Sequence, residues 1–460
     1  MPLPAPLSVP LLPPDHPDRA ALAAEVHARP PEPLAAPSRA SYVAVRIQAD
    51  ARPAELGHIA TLCAHFGLAP PEATRTQWAG TLGALRFKWE RHGEFSSYTF
   101  LASGLGEQPY AQAAALLLPA GWLAQVPGQT VFACHAEFAT PQQAGLHSAA
   151  PAADGMSRHF GAQMAVGAEI GDGAGAAFTD FTIHGDGFAR FLLLDVALTD
   201  RQAGRMLQRL FEIEAYRMMA LLALPLARGL WPRLVQIEGA LAGLTARIAA
   251  PTAAPARPGS DGAGPGSPDE TLLQQLTALA AEVENALAGS QARFGASRAY
   301  HALVNTRIAE LRERRIKGLQ TIDEFMARRL SPAMATCVTV QHRLHDLSER
   351  VAQASNLLST RVDITRQRQN QALLAATARR AKQQLRLQQT VEGLSVAAIA
   401  YYLAGLVGYG AKALKAAGLA VSPDLVTGLA VPLLAVLAWW TLHRVHRRIA
   451  HDEAIETLSI

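Results

Sequence analysis

Two short glycine-containing turns carry the side chains best suited by type to do chemistry: His92 and Glu94 in Arg91-His92-Gly93-Glu94, and His184 and Asp186 in His184-Gly185-Asp186-Gly187. An imidazole beside a carboxylate can pass a proton near neutral pH, so the four brought together would make a general acid–base site on the N-terminal domain. The same glycines are what tight hairpins require, and turn chemistry is the plainer account of both stretches. His135 and Glu137 are spaced to share one face of a strand, as in the opening of a metal site. The Pro-Cys-x-x-Cys that completes a zinc deaminase is absent, and an ordinary strand pair is expected. Gly171 to Gly175 does not open a helix as a dinucleotide loop would, and no GxxxxGK, HExxH or GxSxG occurs. No cofactor site and no metal site is expected, so the balance falls toward a non-catalytic protein.

The elements that must position these residues read as an α+β fold. Residues 1–37 form an N-terminal segment in which Asp15 or Asp18 caps a short helix ending before Pro30 and Pro31. Residues 38–250 form an α+β domain with an antiparallel sheet. Ser41 to Gln48 alternates as a strand, and Pro53 to Phe66 has helical spacing. Thr81 to Glu90 and Phe95 to Ala102 make a hairpin, Val131 to Phe138 is a further strand, and Ala162–Ile170, Ala176–His184 and Phe188–Leu198 make a meander. A long helix capped by Thr199 or Asp200 follows, with a break at Pro225. Residues 251–268, rich in Pro, Gly, Ala and Ser, are a flexible linker.

Residues 269–390 read as a helical stalk: one helix to about Ala288, a second from about Arg293 to Arg329, and a third from Ser331-Pro332. In the third, Cys337, Val340, Leu344, Leu347, Val351, Ala354 and Leu358 alternate spacings of three and four, a coiled-coil seam. The third helix is expected to run on into the next segment as one rod. Arg307, Arg312, Arg314, Arg315 and Lys317 read as a solvated face.

Residues 391–442 hold two apolar runs, Val391–Gly408 and Leu425–Leu442, each of 18 residues. At 1.5 Å per residue each reaches about 27 Å, near the hydrocarbon thickness of a bilayer. Trp439 and Trp440 close the second run at headgroup level. Ala400, Ala404 and Gly408 form a small-residue stripe that lets helices approach closely, and Pro432 suits a kink against a packed neighbour. Arg379, Arg380, Lys382 and Arg386 precede the first run and Arg444, Arg447 and Arg448 follow the second, whereas the intervening loop holds Lys412, Lys415 and Asp424. The positive-inside rule then places both termini, including the tail 443–460, in the cytoplasm of a cell whose inner membrane carries a two-span hairpin.

Composition agrees. Half of the residues are apolar and 17% charged, enough for a sizeable core, and the formal charge of +4 is too small and too unlike an aromatic-basic pattern to suggest nucleic acid. Cys63, Cys134 and Cys337 are far apart and odd in number, which fits a reducing compartment. The proline-broken N-terminus lacks the basic n-region of a signal peptide. The expected partners are the lipid bilayer, further copies of the chain through the stalk and first span, and a protein still to be identified.

Five stretches carry a resemblance over nearly the whole chain: HPDRAALAAEVHARP, FKWERHGEFSSYTF, HGDGFARFLLLD, EIEAYRMMALLALPLAR, and LLSTRVDITRQRQNQALL running on to LRLQQTVEGLSVAAIAYYLAGLVGYGAKAL. They resemble the bacterial membrane-anchored proteins of domain-of-unknown-function family 3422. That resemblance implies location and architecture without chemistry. A looser likeness, in architecture alone, is to CorA-type magnesium channels, whose Gly-Met-Asn after the first span is replaced here by Gly408-Tyr409-Gly410-Ala411. Three functions follow as expectations: a non-catalytic membrane-anchored scaffold or regulator, a CorA-like channel or transporter, and an enzyme using His92, Glu94, His184 and Asp186.

Overall fold

The computed structural model describes residues 13, 15–19, 22–23, 31–151, 153–250, 268–417 and 422–456. Residues 251–267 of the expected linker and the stretch of the expected N-terminal helix just before Pro30 lie outside them, whereas Pro268 already belongs to a helix. The chain divides into two compact units, Met1–Ser355 and Asn356–Ile460.

In the first unit the strands are β1 (Ser38–Arg46), β2 (Gln77–Leu82), β3 (Leu85–Arg91), β4 (Phe95–Ser103), β5 (Gln129–Ala139), β6 (Val166–Ile170), β7 (Gly175–Thr179), β8 (Ala189–Asp195) and the two-residue β9 (Arg314–Arg315), with central strands such as β1 and β8 buried on both faces. They form one sheet of nine strands in the order β2-β3-β4-β1-β5-β8-β7-β6-β9. The hairpin expected from 81–90 and 95–102 is present as β3–β4, but the first of its expected strands is broken by a turn at Gly83-Ala84, which leaves Thr81 and Leu82 in β2. The three-strand meander is present, and the sheet is mixed. β5 and β8 pair in parallel, Cys134 beside Ala189 through Ala139 beside Leu194. Antiparallel pairing was expected there, yet β8 reaches β5 only after the β6–β7 excursion, and that return sets its direction.

One sheet face is covered by α1 (Arg52–His65), which buries Ile59, Leu62 and Cys63 against Val43, Phe87, Trp89 and Phe100. Farther along that face the short α2 (Ser157–Phe160) packs Phe160 with Phe178, Leu192 and Leu194. The other face is covered by α3 (Asp200–Leu221), whose Phe211 stacks on Tyr42 at 4.8 Å. Thr199 caps α3 in a full capping box with Gln202. The chain breaks at Leu222, not Pro225. Pro225 sits in the first turn of α4 (Ala223–Ala249), where a missing N–H leaves no intrahelical bond unmade.

The stalk departs from expectation. α5 runs unbroken over Pro268–Leu311, through Gly289 and Gly295, and the break falls at Arg312, which takes φ 52° ahead of β9. α6 then begins at Ile322, nine residues before Ser331, because Thr321 and Glu324 form reciprocal side-chain-to-backbone bonds of 3.1 Å. Pro332 therefore lies inside α6, which burial of Leu330, Met334 and Cys337 carries across it. The seam from Cys337 to Ala354 is buried within the first unit. Its helix is tied to α4 by Arg343, which pairs with Glu238 and lies 4.4 Å over the Trp231 ring, and to α5 by Ser297 Oγ at 3.4 Å from Met334 Sδ. Arg312, Arg314, Arg315 and Lys317 are exposed, as expected of a solvated face, and Arg307 is half-buried; the arginines also hold acids, Arg307 with Glu212 and Glu310, Arg312 with Asp172, Arg314 with Glu169 and Arg315 with Glu324.

The helical element α6 extends over Ile322–Ala416, so the stalk helix and the first apolar run share one element as expected. Within the second unit its last turns lie beside α7 (Pro423–Glu456). Ala404 and Ala411 are buried, and a Cβ on Gly408 would come within 3.1 Å of Thr427 Oγ1, so the small-residue stripe seats the second helix. Both helices are long and apolar enough to cross a membrane. Their qualifying windows are 6% and 0% buried.

Candidate functional site

The four turn residues fall into two places. β4 and β8 are separated in the sheet by β1 and β5, three strand steps or about 14 Å, so the two turns do not converge. The acid–base site expected from all four together is not formed.

At the β3–β4 turn the His92 ring stacks on Phe95 at 4.3 Å, and its Nε2 lies 3.3 Å from Ser97 Oγ. α1 holds this turn through Arg52, which donates to Ser96 Oγ at 2.6 Å and to Glu55. Glu55, fully buried, also accepts from Trp89 Nε1 and Tyr98 OH at 2.8 Å each, three donors for one carboxylate. α5 holds the turn's far side: Arg293 pairs with Glu94 at 3.1 Å. Burial, then the charge and hydrogen bond of Glu94, push the Tyr300 hydroxyl up to about 12. Glu94 is thereby a structural clamp, and its carboxylate is committed to a guanidinium.

At the β7–β8 turn His184 Nε2 meets Asp180 Oδ2 at 2.9 Å. Asp186 accepts the Phe188 N–H at 3.1 Å and pairs with Arg190. Burial raises its carboxyl, but the Arg190 hydrogen bond and the Phe188 N–H outweigh it and the net shift is downward. The strand pair set aside in sequence lies next to it. His135 is buried on β5, stacked on Phe188 at 4.0 Å, with Nδ1 at 2.8 Å from Ser41 Oγ. Burial, aided by Arg190, holds it down at about 4, so it is neutral at pH 7. Glu137 accepts the Tyr110 N–H at 2.8 Å and lies 3.9 Å from His159. Burial raises Glu137 against the pull of that N–H and of Arg158, Arg190 and Arg39, and burial lowers His159. Buried acid and base are both pushed toward their neutral forms, and His159 Nδ1, 3.9 Å from Glu137, is buried without a hydrogen bond. Among the described residues no group of three or more His, Cys, Asp or Glu is arranged to hold a metal.

On the opposite sheet face, a narrow cleft with a free volume of only about 30 Å³ lies between the β1, β3 and β4 strands and α3, lined among others by Tyr42, Lys88, Glu90, His92, Ser97 and Glu212. Lys88 and Glu90 pair at 3.0 Å and both are buried. A buried ion pair stabilises little by itself, because desolvation offsets its attraction. Alternation in FKWER sets Lys88 and Glu90 opposite the core residues Phe87 and Trp89. Sequence gave no sign that α3 and the segment of Glu32 and Leu34 would cover them. That segment is fixed by Leu34 N–H to Asp200 O at 2.9 Å and by Glu32 beside Arg86 at 3.7 Å.

The sequence model of the DUF3422 family matches residues 14–449, which takes in most of both units and every candidate site residue. The chain belongs to the DUF3422 family. Its members are described as proteins of unknown function. No curated protein and no solved structure matches the chain. The function of this DUF3422 protein therefore has to be argued from its own residues.

Proposed function

We propose that this DUF3422 protein is a non-catalytic, membrane-anchored scaffold or regulator. Its second unit crosses the inner membrane twice, and its first unit faces the cytoplasm. The observation that carries this reading is the exposure of the two apolar windows, 6% and 0% buried, with Leu394, Tyr401, Leu429, Leu433 and Trp439 each more than half exposed. Core helices of a water-soluble fold would bury those windows; a bilayer solvates them. Trp440 at the end of the second window, with the Arg444 guanidinium 4.8 Å over its ring, suits the headgroup boundary.

The non-catalytic part rests on the clamps. Glu94 is held by Arg293, Asp186 by Arg190 and His184 by Asp180, so each sequence candidate with a resolved ion pair is engaged in fixing a turn. The seam of α6 up to Ala354 is occupied within the chain, which leaves the exposed faces of the first span for self-association and the first unit for a protein partner. Reporter fusions to both ends test the topology. Cytoplasmic activity at both is expected, and a C-terminus on the outer side would reduce the anchor to one span.

A further inference from the structure

We infer that the second unit carries a basic collar that binds the headgroups of anionic phospholipid, an inference that rests on the membrane-spanning reading above. The collar consists of Arg379, Arg380, Lys382 and Arg386 on α6 and Arg444 on α7, all exposed. Arg379, Lys382 and Arg386 are spaced i, i+3, i+7 and share one face of the helix.

Three observations support this reading of the patch. No Asp or Glu occurs between Asp363 and Glu392, so the i,i+4 ion pairs that normally accompany basic residues on a solvated helix are absent from this stretch. Among the described residues none of the four α6 cations has an ion-pair partner, whereas Arg307, Arg312, Arg314 and Arg315 of the first unit are all matched to carboxylates. Leu385 and Leu387, beside Arg386, are 58% and 70% exposed, which gives the same turns an apolar side suited to the acyl boundary.

The placement along the helix fits a headgroup layer. With Val391 at the hydrocarbon edge, Arg386 lies about 7 Å and Lys382 about 14 Å outside it at 1.5 Å per residue. Headgroups occupy roughly 5 to 8 Å on each side of the core, and a long basic side chain can reach back toward them. Arg379 and Arg380, about 17 to 18 Å out, sit within roughly one Debye length of the lipid phosphates. α7 runs beside α6, Gly408 facing Thr427, and brings Arg444 just past the end of the second span. The opposite ends of the helices carry Lys412, Lys415 and Asp424, a mixed and smaller charge. Charge complementarity therefore selects an anionic surface at this end only.

Native mass spectrometry of the full-length protein in neutral detergent, titrated with phosphatidylglycerol or with phosphatidylcholine of the same acyl chains, tests the collar. Retention of phosphatidylglycerol is expected to exceed that of phosphatidylcholine by about tenfold, from a few basic groups acting together. The quadruple variant Arg379→Gln, Arg380→Gln, Lys382→Gln, Arg386→Gln should bring the two lipids to within about twofold. Replacing the three arginines by lysine should restore the preference, and Arg366→Gln with Arg368→Gln, farther from the span, should leave it intact. Equal retention by the unaltered protein, or a preference that survives in the quadruple variant, would overturn the collar. Displacement of the lipid by glycerol phosphate alone would overturn lipid as its occupant, since the patch would then be a general phosphate site. Extraction of membranes at alkaline pH separates this from the anchor reading: a protein that stays in the pellet without lipid preference loses the collar alone, and one that washes off loses both.

Discussion

The imidazole of His135 lies 3.9 Å from the carboxylate of Asp186, joining the buried strand β5 to the exposed turn ahead of β8. Because burial and Arg190 hold His135 down at about 4, it enters the folded state as a neutral ring bonded to Ser41. The unfolded chain, with an imidazole near 6.5, binds more protons between those values. Stability from this group is thus complete above pH 6.5 and is lost as pH falls from 6.5 toward 4, by about 3 kcal/mol in all. His159, also lowered by burial, acts in the same direction. Glu137, raised by burial, acts oppositely and stabilises most at the acid end. His135→Asn should flatten urea-unfolding stability between pH 6.5 and 4; a variant with the full acid slope would exclude His135 as its source.

Glu55 gathers Arg52, Trp89 and Tyr98 beneath the β3–β4 turn. Glu55→Ala strands these donors in the core and should destabilise the first unit by about 3 to 5 kcal/mol, read as a lower urea midpoint. A change below about 1 kcal/mol would mean that water replaces the carboxylate freely.

Gly204 has no room for a side chain, since a Cβ there would lie 1.9 Å from the Glu32 carbonyl oxygen. Gly204→Ala should lift the Glu32–Leu34 segment from α3, cost about 1 to 3 kcal/mol and speed proteolysis near residue 32. Unaltered cleavage kinetics would show that this segment does not close the cleft.

Ion conduction of the CorA kind is not expected. Magnesium needs oxygen ligands at a pore mouth, and the loop side of the two spans offers Lys412, Lys415 and Asp424. Liposomes holding the purified protein and a magnesium-sensitive dye should show no protein-dependent uptake. Rapid uptake abolished by Gly408→Leu would replace the scaffold reading with a channel.

Much of the fold was legible because local signals decide it. Period-two alternation marks most strands, Thr199 marks the α3 start, and the two charge-poor runs mark the second unit. What was missed depends on partners distant in sequence. The parallel β5–β8 pair is fixed by a return path across β6 and β7, and Pro332 is tolerated only because the turns around it are buried. α6 starts at the Thr321–Glu324 cap, inside the stretch expected to be helical up to Arg329, and runs through the start expected at Ser331-Pro332. Glycine spacing marked the two stretches as turns but could not reveal that β1 and β5 keep them apart. Nor could it reveal that Tyr110, from an irregular segment, and His159, from the single-turn α2, are buried beside Glu137, since neither segment has a period to read.

Alkaline carbonate extraction of membranes measures most directly whether lipid solvates the second unit. The unaltered protein should remain in the pellet. Leu433→Arg with Leu434→Arg, each costing about 2.5 to 3.5 kcal/mol at mid-membrane, should shift the protein to the supernatant or lead to its degradation. A double variant that stays stable and membrane-embedded, or an unaltered protein that carbonate releases, would contradict the account.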